Sequence, residues 1–244
     1  MSVCNPGYVT EPRQNPEPSP TVSNKAAPRV AAMFDRVAPK YDRTNTITFA
    51  GQDKRWRRLT REALSLRPGE RCLDLGAGTG VSTAELAASG ADVIGVDISI
   101  GMMREHGNRD VPLVAADATA LPFADDSFDA VTGMFFIRNS NDPHAILREA
   151  YRVLKPGGRL VFLETSTPVN KVTKLGHRVF VKHLLPWASK IVSSDPEAYK
   201  YLAETTLEWP DQNSFAQWII AAGYRKVAWR NLAGGSIAMH RGFK

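Results

Sequence analysis

Cysteine is scarce in this sequence, and its scarcity argues against two kinds of scaffold. Only two cysteines occur among the 244 residues, Cys4 and Cys72. One lies in a proline-rich stretch and the other in an apolar strand pattern, so neither a disulfide framework nor a cysteine-based zinc site is expected. We therefore expect no metal, and we interpret Cys72 as a small buried core residue.

Long apolar runs are also missing. The apolar stretches are short and interrupted by charged residues, far below the length that a bilayer span needs. The first 28 residues are rich in Pro, Asn, Ser and Glu and lack the apolar segment of a secretory signal. The sequence therefore predicts a cytoplasmic protein, with a disordered proline-rich tail over residues 1–27 and one domain over residues 28–244.

Positive charge is in excess over negative charge. The formal net charge is +6, which favours an anionic partner such as nucleic acid or a membrane surface. Basic residues cluster within residues 54–61 and again within residues 171–182. No RNA-binding motif or aromatic platform accompanies either cluster, so we interpret both as solvated helix faces and expect no nucleic-acid partner.

Strand patterns alternate with helical patterns from residue 70 onward. The first five strand patterns cover residues 71–75, 93–96, 113–116, 128–136 and 159–163. This alternation predicts an α/β domain with a mostly parallel, doubly wound sheet. Two final patterns, at residues 227–232 and 236–240, predict an antiparallel finish that brings the sheet to seven strands.

Helical patterns lie on both sides of this core. They cover residues 28–39 and 52–66 before it, and a helical lid insertion is expected at about residues 169–222. The polar residues that begin at Tyr41 and Asp42 predict a loop between the first two helices. The residues Pro156, Gly157 and Gly158 predict a turn before the fifth strand.

The first strand runs into a glycine-rich turn, Leu-Asp-Leu-Gly-Ala-Gly-Thr-Gly over residues 73–80. Such turns serve NAD, FAD and S-adenosylmethionine sites alike. A dinucleotide fingerprint would place its third small residue at Val81 rather than at Gly80. The carboxylate of Asp74 would repel a pyrophosphate but suits the cationic amino group of S-adenosylmethionine, directly or through water. The turn therefore favours S-adenosylmethionine.

Two more acids end the next two strands. Asp97 follows Gly78 by 19 residues, where a carboxylate can accept both ribose hydroxyls, although it could also cap a helix. Asp117 ends the third strand and precedes Ala118, where the adenine edge would lie. The carboxyl ends of parallel strands form the ligand-binding edge of such sheets. The predicted cofactor site comprises Asp74, Gly76, Gly78, Thr79, Asp97, Asp117 and Ala118.

Residues 70–165, with their Leu-Pro-Phe, Ser-Phe-Asp and Leu-Lys-Pro-Gly-Gly elements, resemble the Rossmann-like class I methyltransferases. Outside this core the chain resembles the UbiE/MenG/Coq5 family of quinone-biosynthesis C-methyltransferases. That likeness rests on residues 34–42 with Asn45 and the Lys-Arg-Trp-Arg of residues 54–57, and on residues 136–139, 163–168, 199–205 and 231–240. Residues 45–48 and the pair Phe135–Phe136 depart from the commonest family pattern.

The resemblance implies C-methylation of a polyprenylated quinol, with the naphthoquinol demethylmenaquinol as the leading acceptor. It places Arg138 and Asn139 over the quinol oxygen, and Tyr41 over the cofactor or against the quinol. An arginine, whose pKa exceeds about 12, suits phenolate stabilisation or water orientation better than proton abstraction. No general base can be assigned, and His240 is interpreted as a structural histidine rather than a proton acceptor.

Several alternatives stay open at this point. Another small-molecule methyltransferase, acting on a phenol oxygen or a lipid, would share every cofactor residue. An RNA methyltransferase would need a nucleic-acid motif, and a non-catalytic domain would have no reason to keep all the strand-end acids. The lid insertion could guide the prenyl tail and touch an anionic membrane peripherally, or it could be an ordinary lid. Its apolar residues are Phe180, Leu184, Leu185, Trp187 and Ile191.

Overall fold

A computed structural model describes residues 7–8, 26–49, 51–170, 173–174, 176 and 196–244. Most of the predicted disordered tail lies outside the described residues. The central part of the predicted lid, including the five apolar residues from Phe180 to Ile191, lies outside them as well. Within the described residues, no helix is long and apolar enough to cross a membrane.

One twisted sheet organises the described chain. Its strands are β1 (Gly7–Tyr8), β2 (Arg71–Leu75), β3 (Asp92–Asp97), β4 (Leu113–Ala115), β5 (Phe128–Met134), β6 (Leu154–Thr165), β7 (Arg225–Leu232) and β8 (Ile237–Phe243). Their order is β1-β7-β8-β6-β5-β2-β3-β4. Strands β2 to β6 are parallel, and β8 runs antiparallel to both of its neighbours, β6 and β7. The predicted seven-stranded, mostly parallel sheet is confirmed, and the short β1 adds an antiparallel edge strand beside β7 that the sequence pattern did not predict.

Helices cover both faces of this sheet. They are α1 (Ala27–Val37), α2 (Tyr41–Thr48), α3 (Gln52–Leu64), α4 (Val81–Ala87), α5 (Ile100–Arg104), α6 (Pro143–Val153), α7 (Pro196–Glu208) and α8 (Gln212–Ala221). Short 3-10 helices span Ala38–Lys40, Ile137–Asn139 and Ala233–Gly235. The carboxylates of Asp142 and Asp211 cap α6 and α8 by accepting backbone N–H groups, which satisfies donors that a helix leaves unpaired.

The predicted loop at Tyr41 and Asp42 is wrong, because these residues begin helix α2. The polarity of the segment suggested a loop, but residues 41–48 contain neither Gly nor Pro to interrupt a helix. Thr44 is buried, so the helix packs on one face despite its polar composition. Gly51, which precedes α3, has a positive φ of 75°.

The predicted turn at Pro156–Gly158 is also wrong, since β6 runs through it. The register of β5 and β6 shifts here: Phe128 faces Leu154, while Ala130 faces Arg159. The extra residues form a bulge, in which Gly157 has a positive φ of 79°. The chain end holds this bulge, because Gly157 N–H donates to the Lys244 carbonyl and Lys244 N–H donates to the Gly158 carbonyl.

Two apolar cores result, one on each face of the sheet. The larger core packs α6 and α8 against β2, β5 and β6, around residues such as Leu147, Phe162 and Phe215. The other packs α3 and α4 against the same strands, around Trp56 and Leu86. The parallel strands thus end together at one edge of the sheet, which places their terminal side chains side by side.

His240 lies on β8 inside the larger core. Its Nε2 lies 2.9 Å from the Gln212 carbonyl oxygen, and its ring packs against the rings of Phe215 and Trp229. Burial lowers its pKa to about 4, although the hydrogen bond to Gln212 opposes that change. The histidine is therefore neutral in the folded protein at physiological pH.

This lowered pKa makes the stability of the fold depend on pH. In the unfolded chain the imidazole has a pKa near 6.5, so the unfolded state binds a proton first as the pH falls. The contribution is fully present above that value and is lost as the pH falls toward about 4. Between pH 7.5 and pH 5 the loss is about 2 kcal/mol.

The variant His240→Phe should lack this pH dependence, as measured by urea unfolding at both pH values. The exposed His106 offers a control, since His106→Phe should keep the wild-type dependence. Equal pH dependence in His240→Phe and wild type would contradict the assignment.

Candidate active site

A cavity of about 1200 Å³ lies at the carboxyl edge of the parallel strands. Its walls come from the loops that follow β2, β3, β4 and β5, and from the N-terminal helices α1, α2 and α3. The cavity is therefore built partly by the sheet and partly by the segment that precedes it in the sequence.

The glycine turn after β2 forms the floor of the cavity. The N–H groups of Gly76 and Ala77 both donate to the Val96 carbonyl, at 2.8 and 3.0 Å. Gly76 has a positive φ of 68°, and a Cβ there would lie 2.3 Å from the Cβ of Phe136. Only glycine fits this position, because the Phe136 side chain occupies the space that a Cβ would need.

Asp97 joins this turn to the end of β3. Its Oδ2 accepts from the Gly78 N–H and its Oδ1 from the Ser99 N–H, both at 2.8 Å. Burial raises the pKa of Asp97, while these backbone hydrogen bonds lower it. The carboxylate lines the cavity and is fixed from two sides, as a group that receives ribose hydroxyls should be.

Asp117 and Ala118 line the same wall after β4. The Oδ1 of Asp117 accepts from both the N–H and the hydroxyl of Thr119, each at 2.8 Å. The structure thus brings together six of the predicted cofactor residues. They are Gly76, Gly78, Thr79, Asp97, Asp117 and Ala118.

Asp74 is placed differently from the other acids. It is fully buried behind the cavity wall, where its Oδ2 accepts from the hydroxyls of Ser82 and Thr83 at 2.7 and 2.8 Å. Burial raises its pKa to about 6, although these hydroxyls oppose that change. Ser82 lines the cavity and Asp74 does not, so Asp74 supports the start of α4 from behind.

Two acids of the N-terminal helices bind side chains and backbone that follow β2 and β3, and neither acid was predicted. The Oδ1 of Asp42 accepts from the Thr79 hydroxyl, and its Oδ2 pairs with Nη2 of Arg109, both at 2.8 Å. The Oδ1 of Asp35 accepts from the Ser99 hydroxyl at 2.5 Å and from the Gly101 N–H at 2.8 Å. Both lie in residues 34–42, a segment singled out by its family resemblance, but sequence alone does not say which loops they bind.

The predicted acceptor residues Tyr41, Arg138 and Asn139 line the same cavity. Nη1 of Arg138 donates to Oε1 of Glu164 at 2.6 Å. Burial raises the pKa of the Tyr41 hydroxyl, whereas its hydrogen bond with Asn45 and the positive charge of Arg138 lower it. The structure therefore brings these three residues to one end of the cavity.

An aromatic wall completes that end. The rings of Phe49 and Phe135 stack with centroids 5.9 Å apart, and the ring of Trp56 packs against both. The guanidinium of Arg138 lies 5.9 Å from the centroid of Phe135. These three aromatic residues line the cavity, so a flat aromatic ligand would find apolar surface beside the Arg138 guanidinium.

The cavity residues fit S-adenosylmethionine. Carboxylates at the strand ends suit its ribose and its positive charge, whereas they would repel a pyrophosphate. Gly78 has a positive φ of 56°, a backbone conformation that favours glycine. Ala118 and Met102 line the cavity near Asp117 and give apolar surface for an adenine ring.

Solved structures share this architecture. A methyltransferase of Haloferax volcanii, solved with the Trm112 methyltransferase activator, superposes with a TM-score of 0.62 at 19% identity, over 86% of this chain and 96% of that one. An S-adenosylmethionine-dependent methyltransferase of Thermotoga maritima gives 0.60 at 20% identity, over 87% and 99%. The chain thus has the fold of the class I S-adenosylmethionine-dependent methyltransferases.

Sequence comparison identifies the family within this class. Residues 21–244 match the ubiE/COQ5 methyltransferase family, and the chain belongs to that family. The demethylmenaquinone methyltransferase of Corynebacterium kroppenstedtii is 53% identical over 215 residues, 88% of this chain and 94% of the relative. Those of Mycobacterium bovis and Mycolicibacterium vanbaalenii are 52% and 54% identical over the same share of this chain, and over 92% and 94% of their own lengths.

The predicted cofactor role of Asp97 can be tested by substitution. Asp97→Asn keeps the shape of the side chain but removes the charge that is predicted to accept hydrogen bonds from the ribose hydroxyls. A hydrogen bond to a charged group contributes about 1.5–3 kcal/mol, so the Kd for S-adenosylmethionine should rise about 10- to 150-fold in calorimetry.

Asp92→Asn is the matched control, because Asp92 occupies the exposed opposite end of the same strand. It should bind the cofactor as the wild type does. Unchanged affinity in Asp97→Asn would contradict the assigned role.

Proposed function

We propose that this chain transfers a methyl group from S-adenosylmethionine to a ring carbon of demethylmenaquinol, the acceptor that the names of its relatives imply. The observation that best supports this proposal is that one cavity is lined by the strand-end carboxylates, by the aromatic wall of Phe49, Trp56 and Phe135, and by Arg138. A naphthoquinol ring fits this wall by size and polarity.

The chemistry requires an electron-rich ring carbon. When bound, S-adenosylmethionine supplies an electrophilic methyl group. The reduced quinol loses a phenolic proton, its ring carbon forms a bond to the methyl carbon as the carbon–sulfur bond breaks, and loss of the ring C–H proton restores aromaticity. The oxidised quinone cannot supply such a carbon.

Within this scheme the chain positions the reactants and stabilises charge. Arg138 is assigned to the developing phenolate, because a fixed guanidinium at the end of a buried cavity stabilises negative charge strongly. Asn139 is assigned to the orientation of the same oxygen. Tyr41 is assigned to cover the junction between cofactor and acceptor, since the charges of both Asp97 and Arg138 affect its hydroxyl.

A direct assay tests the proposal. The protein is supplied with labelled S-adenosylmethionine and a short-tailed demethylmenaquinol held reduced, while a demethoxy-benzoquinol, the oxidised quinone and a tRNA pool are assayed in parallel. Label should enter a ring carbon of the reduced naphthoquinol, and the quinone and tRNA should stay unlabelled. Cofactor binding without ring methylation, or methylation on a phenol oxygen, would contradict the acceptor assignment.

We also propose that the mouth of the cavity contacts an anionic membrane, where a polyprenylated acceptor resides. Ile47 and Val169 are 52% and 62% exposed, and both adjoin cavity-lining residues, Thr46 with Thr48 and Pro168 respectively. Lys54, Arg55 and Arg58 are exposed nearby on α3. Apolar side chains among cations are typical of an interfacial surface.

Vesicle flotation tests this contact. The triple variant Lys54→Glu, Arg55→Glu, Arg58→Glu should lose binding to anionic vesicles, because each cation near the surface contributes about 1 kcal/mol. The control reverses three exposed cations on β7, Arg225, Lys226 and Arg230. Failure of the wild type to float with anionic vesicles, or equal loss in both triple variants, would contradict the proposed contact.

A further inference from the structure

The most enclosed ion pair in the described part of the chain lies at the acceptor end of the cavity. It joins Nη1 of Arg138 to Oε1 of Glu164 at 2.6 Å, with the two side chains 9% and 1% exposed. Oε1 also accepts from the Thr165 N–H at 2.7 Å. Glu164 does not line the cavity, whereas Arg138 does, so the carboxylate contacts the guanidinium from behind.

The sheet fixes Glu164 more rigidly than a surface loop could. Its backbone lies near the end of β6, paired with Ala238 of β8 on one side. Arg138, by contrast, belongs to a three-residue 3-10 helix after β5. The rigid member of the pair is therefore the carboxylate, and the member that it orients is the guanidinium.

Stability alone does not explain this pair. Removing two charges from water costs several kcal/mol for each ion, and well-packed apolar residues of similar volume often serve stability equally well. Oε2 of Glu164 is buried and accepts no hydrogen bond from the described residues. This unpaired oxygen adds to the desolvation cost of the pair, so stability does not account for it.

The charge of Arg138 reaches the groups around the acceptor end. It lowers the pKa of Tyr41 and of Tyr201, in both cases against the effect of burial. Two oxygens on the same wall, Oδ1 of Asn139 and Oγ1 of Thr165, are buried and lack partners among the described residues. Arg138 and these unpartnered oxygens therefore belong to residues that line the same cavity.

We propose that Glu164 is a positioning residue for the methyl transfer, which holds the Arg138 guanidinium at the acceptor hydroxyl. The inference rests on the proposed function, because it assumes an acceptor whose oxygen develops negative charge beside Arg138. Glu164 contacts neither the acceptor nor the cofactor, so its effect passes through Arg138. The contact is a single charge-assisted hydrogen bond from Nη1 to Oε1, and a charged acceptor holds a guanidinium more strongly than a neutral side chain would.

The variant Glu164→Gln tests this role, because it keeps the volume and one acceptor oxygen but removes the charge. Small misplacement of a positioned group can reduce turnover about 100-fold, so kcat should fall by about 10- to 100-fold. The KM for the quinol and the Kd for S-adenosylmethionine should stay within about twofold of wild type, since the aromatic wall and strand-end acids are untouched.

A double-mutant cycle with Arg138 distinguishes a positioning role of Glu164 from a purely structural one. In an Arg138→Met background, Glu164→Gln should reduce kcat by less than about twofold further, because the group that it orients is already absent. Full additivity of the two losses, or an unchanged kcat in Glu164→Gln, would overturn the inference. If Glu164→Gln does not fold, Arg138→Lys should give the same loss of kcat at constant KM, because a lysine keeps the charge but not the planar fork.

Glu70→Gln is the matched control, since Glu70 pairs with Arg159 at 2.6 Å outside the cavity. It should leave kcat unchanged. The proposed function itself is judged on the wild type, where a lack of quinol methylation would count against the acceptor and not against Glu164.

Discussion

The carbonyl oxygen of Val96 accepts hydrogen bonds from two successive N–H groups, those of Gly76 and Ala77. This contact ties the turn after β2 to the end of β3, and the positions of the other site groups follow from it. It places the Gly78 N–H within reach of Asp97, and it puts Thr79 under Asp42. A parallel sheet makes this geometry available because neighbouring strands end at the same edge.

The N-terminal helices complete the walls of the cavity that the sheet forms on one side. Asp35 and Asp42 each accept two hydrogen bonds from the cofactor loops, so α1 and α2 are attached to the sheet through the same loops that surround the ligand. The acceptor end uses other contacts, with the stacked rings of Phe49 and Phe135 joining the α2–α3 connection to the segment after β5. One cavity is therefore closed by polar contacts at one end and by aromatic packing at the other.

The sequence predicts this site well where spacing alone determines position. The glycine turn and the acids Asp97 and Asp117 follow from strand ends, which the apolar patterns locate, and the sheet brings them together. The depth of a side chain does not follow from spacing: Asp74 ends its strand like the others, yet Ser82 and Thr83 hold it behind the wall. The predicted roles of these residues toward ligands stay predictions.

Contacts between segments far apart in the sequence explain the remaining differences between the predicted and the observed structure. Asp35 and Asp42 bind loops that lie more than thirty-five residues away, and Glu164 meets Arg138 across 26 residues. Helix α2 was missed because its polar composition resembles a loop while one face is buried. The bulge at Gly157 resembles a turn in the sequence because the partner that holds it, Lys244, lies far along the chain.

Phe136 packs against both Gly76 and Gly133. Its side chain occupies the space that Cβ atoms at Gly76 and Gly133 would need, at 2.3 and 2.1 Å, and it meets the ring of Phe162 edge-on. A Cβ at either position would therefore require movement of Phe136, and at 133 it would also lie 3.0 Å from the Leu75 carbonyl oxygen. One aromatic ring thus fixes the turn after β2 and the segment after β5 together.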